Sequence, residues 1–124
     1  MENVDEKMSY YTDLNVFGLD QLEQIKRGLE FEMDVSLYAK PQFSKQQMME
    51  ILNGLRLGLD VSWYANPAFS LDQMEAIKGG LEDGLDVSLY AKPELPVEEM
   101  DRIYDILIQQ QDEDMENIKK ILNL

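Results

Sequence analysis

One 26-residue unit is written three times in this chain of 124 residues, opening at Gln21, Gln47 and Gln73. Ten columns are identical in all three copies: Gln21/Gln47/Gln73, Ile25/Ile51/Ile77, Gly28/Gly54/Gly80, Leu29/Leu55/Leu81, Asp34/Asp60/Asp86, Val35/Val61/Val87, Ser36/Ser62/Ser88, Tyr38/Tyr64/Tyr90, Ala39/Ala65/Ala91 and Pro41/Pro67/Pro93. A unit this short has no room for a core of its own. It buries its apolar face only by stacking on the next copy. The repeat therefore restricts the chain to a row of like units with atypical ends.

Partial copies flank the three. Met8-Ser9-Tyr10-Tyr11-Thr12, followed by Phe17, matches the second half of the unit with one extra residue. Glu99-Met100-Asp101-Arg102-Ile103 starts a fourth unit, with Leu107 in its proper column. There Ile106 replaces the glycine, and Asp112-Glu113-Asp114-Met115 replaces Asp-Val-Ser-x. The expected organisation is one domain over 1–124: an N-terminal cap over 1–17, three full repeats over 18–98, and a partial repeat with a C-terminal capping helix over 99–124.

Within a unit the signals are helical. Ser44 and Ser70 stand three residues before Gln47 and Gln73, the spacing of a capping box. Phe43 with Met48 and Phe69 with Met74 supply hydrophobic staples, and Phe17/Leu22 and Leu95/Met100 repeat the pair at the outer units. Apolar residues follow at steps of three and four (22, 25, 29; 48, 51, 55; 74, 77, 81), one face of an α-helix. Gly58 and Gly84 predict helix stops in the left-handed conformation, with Leu59 or Leu85 folding back. Glu32 holds that place in the first unit, so a less clean stop is expected. Asp34, Asp60 and Asp86 then cap a second helix of one to two turns, closed off by Pro41, Pro67 and Pro93. Gly28, Gly54 and Gly80, beside the apolar stripe, are expected to let adjacent helices approach. Asn3-Val4-Asp5-Glu6 predicts a helix start at the N-terminus. At the other end Met115, Ile118, Ile121 and Leu122 make a stripe expected to close the last unit over 113–123. The fold class is all-α: a short α-solenoid, a right-handed-type stack of helix–short-helix repeats with helical end caps. At roughly 8–10 Å between helices, the rod should measure about 35–45 Å.

Composition limits the chemistry. With no Cys and no His, disulfides, Cys/His zinc sites, thiol nucleophiles and a histidine base are excluded. Ser36, Ser62 and Ser88 sit where capping residues sit, and the carboxylates read as solvated helix faces. The Asp112-Glu113-Asp114 run with Glu116 lacks the glycine and spacing of a calcium loop. No catalytic residue, metal or cofactor is expected, and the chain is not expected to be an enzyme. The charged N-terminus carries no apolar run, which predicts no secretory signal peptide, and no stretch approaches a membrane span. A cytoplasmic location follows as the expectation. A net charge of −14 disfavours direct binding to nucleic acid and suits a basic partner.

Two surfaces are candidates for binding. The column Leu37, Trp63, Leu89 is always apolar and lies off the Val35-Tyr38-Ala39 face. It either packs between units, the ordinary fate of apolar side chains, or forms an exposed stripe rimmed by Lys40, Asn66 and Lys92. In the exposed case Trp63 is the natural anchor. The second surface is the acidic segment of Glu94, Glu98, Glu99, Asp101, Asp105, Asp112, Glu113, Asp114 and Glu116, in which Arg102 is the single basic residue.

The text GLDVSWYANPAFSLDQMEAIKGGL at 58–81, repeated less fully at 33–55 and 84–107, resembles a short helical repeat of uncharacterised proteins from gut Gram-positive bacteria, many carried on conjugative elements. The resemblance covers about residues 17–107. It implies a helical repeat fold and a non-enzymatic adaptor role, and it transfers no catalytic residue. The expected function is an intracellular protein–protein interaction module, an adaptor or scaffold, taking a protein or peptide partner. The alternatives are an acidic mimic of nucleic acid that inhibits a DNA-acting enzyme, and a structural module that self-associates; a homo-oligomer is compatible with the sequence but not called for by it.

Overall fold

The computed structural model describes residues 3–124. Met1 and Glu2, the first residues of the expected N-terminal cap, lie outside them. Five α-helices make up the described chain: α1 (Val4–Asp13), α2 (Leu19–Glu30), α3 (Lys45–Arg56), α4 (Leu71–Glu82) and α5 (Val97–Leu122). Three short 3-10 turns follow α2, α3 and α4, at Val35–Leu37, Val61–Trp63 and Val87–Leu89. There is no strand among the described residues. Each helix packs on the next in chain order. The core is one continuous cluster built from repeat columns, with Ile25, Ile51, Ile77, Tyr38, Tyr64 and Tyr90 fully buried.

Local chemistry sets the helix starts. The Ser44 hydroxyl accepts from the Gln47 backbone N–H (3.1 Å), while the Gln47 side-chain oxygen accepts from the Ser44 N–H (2.8 Å). Ser70 and Gln73 repeat the exchange. At α2 only half of it exists: Gly18 has no side chain, and its N–H donates to Gln21 Oε1 (2.8 Å). α5 opens after Pro96 without a side-chain cap.

The helix ends share one hydrogen-bond pattern. Leu59 N–H donates to the Gly54 carbonyl and Gly58 N–H to that of Leu55 (2.9 and 3.0 Å), and Leu85 and Gly84 do the same after α4. This is the Schellman motif, with Gly58 and Gly84 at φ 75° and 72°. The weaker stop expected in the first unit is not found. Met33 N–H bonds to the Gly28 carbonyl (2.9 Å) as in the other copies, because Glu32 adopts φ 59°. The difference lies in backbone strain rather than in hydrogen bonding.

The second helix of each unit is shorter than expected, a single three-residue 3-10 turn. Asp34 Oδ1 accepts from the Ser36 N–H (3.1 Å) and hydroxyl (2.5 Å), and Asp60 and Asp86 hold Ser62 and Ser88 alike. Tyr38, Tyr64 and Tyr90 then leave helical geometry at φ −132°, −133° and −139°. Each reaches back to its own unit's helix: Tyr38 Oη donates to the Gln24 carbonyl (2.6 Å), Tyr64 to Glu50 (2.7 Å) and Tyr90 to Ala76 (3.2 Å).

That reach explains the glycine column and corrects its expected role. A Cβ at Gly28 would collide with the Tyr38 hydroxyl and lie 2.6 Å from Val35 Cγ1; Gly54 and Gly80 face Tyr64 and Tyr90 identically. The glycines admit the tyrosine of their own repeat, not a neighbouring helix.

The C-terminus also departs from expectation. α5 runs unbroken for 26 residues, and all of 109–124 is exposed, so 113–123 does not close the last unit. The reason is visible column by column. Ile106 fills the glycine place, Gln110 the stop and Glu116 the tyrosine. Without the socket and its occupant the chain has nothing to fold back onto, and the helix continues.

Candidate interaction surface

The 3-10 turn sorts its side chains by their spacing. Val35 and Tyr38, three residues apart, share one side of a helix with about three residues per turn and point inward. The residue between Ser36 and Tyr38 falls off that side. Leu37 is half-buried, whereas Trp63 is 41% and Leu89 51% exposed. Leu37 packs against the core, and Trp63 and Leu89 present apolar surface at the same place in the following units. Lys40, Asn66 and Lys92 are exposed just past each turn. Asn66 has a local task, since its Oδ1 accepts from the Ala68 N–H (2.9 Å). Lys40 and Lys92 make no ion pair among the described residues.

The acidic segment does not form one patch. Glu94 precedes α5. At about 100° per residue, Glu98, Asp101, Asp105, Asp112 and Glu116 line one side of the helix. Glu99 lies on another side and binds Arg102 (2.8 Å), Glu113 falls between the two sides, and Asp114 points elsewhere again. Glu116 lies 3.8 Å from Lys119.

Two polar features carried no sequence signal because their columns vary between copies. Arg56 stacks on the Phe31 ring, 3.8 Å from its centre. Together with Asn53, Leu57 and Lys78 it lines a cleft of about 320 Å³ between α3 and α4. Lys78 is already held by Glu50 (3.6 Å) and Glu82 (3.7 Å). Gln24, in the column of Glu50 and Ala76, is buried with its Oε1 unpartnered.

Burial raises the phenol pKa of Tyr38 and Tyr64 well above the ordinary value and pushes that of Tyr90 up to about 12. These hydroxyls stay protonated and serve as donors. The Ser36, Ser62 and Ser88 hydroxyls are likewise engaged as donors to their aspartates. Among the described residues no three His, Cys, Asp or Glu side chains converge to hold a metal ion. No described helix is long and apolar enough to cross a membrane. No protein-family model, curated protein or solved structure matches this chain.

Proposed function

We propose that the chain is a short α-solenoid that works inside the cell as a non-enzymatic binding module, receiving an extended segment of another protein along the Leu37–Trp63–Leu89 edge. The carrying observation is Trp63, 41% exposed at the middle of an apolar column that recurs once per unit. Trp is enriched at interface hot spots. Packed helices stand about 8–10 Å apart, which sets the spacing of the column. A polyproline-II segment rises about 9 Å in three residues and presents every third side chain on one side. Apolar residues at that period in the partner would meet Leu37, Trp63 and Leu89 in turn. Lys40 and Lys92 would meet its carboxylates or carbonyls at the rim.

The test is capture of partners from lysate by wild type and Trp63→Ala, with melting curves of both. Loss of capture at unchanged melting temperature supports the edge. Unchanged capture with a lowered melting temperature assigns Trp63 to stability and sinks the reading.

A second reading draws on the carboxylates aligned along α5: an acidic mimic of nucleic acid that occupies a basic groove. It predicts capture that falls by orders of magnitude between about 50 and 300 mM salt, whereas an apolar edge is only modestly affected.

A further inference from the structure

α5 outlasts the stack it leaves. Its last polar contacts with the α4 end are made by Tyr104 and Gln111, both to Asp83. Beyond them it runs to Leu122 with every residue exposed. Met115 is 51%, Ile118 48% and Leu122 60% exposed. These residues alternate by three and four with Ile108 and Gln111, the seam of a two-helix coiled coil. The seam continues the line on which Tyr104 and Gln111 meet the stack. A free helix of a few turns is marginal in water.

The charge order along this stretch identifies what covers it. Acids Asp112, Glu113, Asp114 and Glu116 come first, and Lys119 and Lys120 follow. Such a segment is complementary to its own reverse. We propose that α5 is a self-association element, pairing antiparallel with α5 of a second copy across a two-fold axis between Glu116 and Asn117. In this register Met115 packs on Ile118 of the second copy and Gln111 lies near Leu122. Asp112 flanks Lys119 of the second copy, and the symmetry gives the pair twice. Parallel pairing would align four carboxylates with the same four. It would also bring two stacks of chains charged −14 to one end. The overlap of residues 111–122 spans about 18 Å. That puts the contact below about 1,200 Å², the range of weak, reversible complexes.

Sedimentation of the full chain over roughly 10 µM to 1 mM tests this, a range suited to weak association. The average mass should climb from 14.4 kDa toward twice that value. Ile118→Asp should weaken the dimer at least about tenfold, with helix content at low concentration unchanged. The chain has no cysteine, so introduced thiols report the geometry cleanly. Asp112→Cys mixed with Lys119→Cys should form an oxidised heterodimer, and Asn123→Cys alone should not cross-link. A constant 14.4 kDa, a dimer indifferent to Ile118→Asp, or self-cross-linking of Asn123→Cys would overturn the proposal. Trp63→Ala should leave the dimer intact, which keeps this result separate from the fate of the proposed binding edge; a dimer lost with Trp63→Ala would place the contact elsewhere.

Discussion

Glu32 holds a left-handed backbone (φ 59°) at a place where the other two stops use glycine. An L-residue there is strained by about 1–2 kcal/mol, while glycine adds about 0.5–1 kcal/mol of unfolded-state entropy. Glu32 is exposed, so its side chain has little packing to lose. Glu32→Gly should stabilise the chain by about 0.5–1 kcal/mol, read as a higher urea midpoint at unchanged slope. The sequence marks this site as irregular but not in which way. The missing glycine suggests a looser end, yet Met33 still needs its bond to the Gly28 carbonyl, and the backbone yields instead. Trp63 shows a different limit. That apolar residues prefer the inside does not require any one of them to be there. The three copies of this column differ: Leu37 packs against the core, whereas Trp63 and Leu89 are exposed.

At the scale of the element, caps were legible because donor and acceptor lie within four residues of one another. What escaped is the second use of the same glutamines. Gln21 Nε2 donates to the carbonyls of Pro41 and Phe43 (3.0 and 2.7 Å), ahead of the next helix. Gln47 reaches Phe69 (2.7 Å), and Gln73 reaches Pro93 and Leu95 (2.9 and 2.7 Å). One amide caps its own helix with its oxygen and ties down the following linker with its nitrogen. The acceptors are about twenty residues away and are backbone atoms, so no residue pattern announces them. In a capping box Glu serves as well as Gln. The tether distinguishes them, because a carboxylate would face two carbonyls with no proton to offer. Gln47→Glu should therefore lower stability by about 2 kcal/mol, at least as much as Gln47→Ala, in urea unfolding near neutral pH. Equal stability of Gln47→Glu and wild type would show that the tether contributes nothing. The glycine–tyrosine pairing was hidden for a related reason: Gly28 and Tyr38 are both invariant across the copies, but invariance does not say that one fills the space left by the other.

For the whole molecule, the three buried tyrosines make stability alkaline-sensitive in one step per unit. In the unfolded chain a tyrosine releases its proton near its ordinary value of 10, whereas burial raises the folded values, that of Tyr90 to about 12. Above pH 10 the native state holds more protons than the unfolded one, so stability falls as pH rises. The contribution is intact below pH 10 and is lost progressively above it, that of Tyr90 by about 12 and those of Tyr38 and Tyr64 at higher pH still. Denaturant midpoints measured against pH should be insensitive to these groups below 10 and drop steeply above it; Tyr64→Phe, less stable at the outset, should show a shallower alkaline slope. The all-helical character of the molecule was plain from periodicity and caps. The free C-terminal half of α5 was not, because an apolar stripe reads the same whether it closes a neighbouring unit or juts into solvent.

The glutamine tethers carry a consequence for how such a protein changes size. Every unit carries both the glutamine donor and the linker carbonyls that accept from it, and the tyrosine latch is equally internal. Splicing in or excising one complete copy leaves no donor stranded and no socket vacant. Overall length is thus free to change by whole modules, each gain adding one more member to the Leu37–Trp63–Leu89 column, while a fragment of a module would part a glutamine or a tyrosine from its partner.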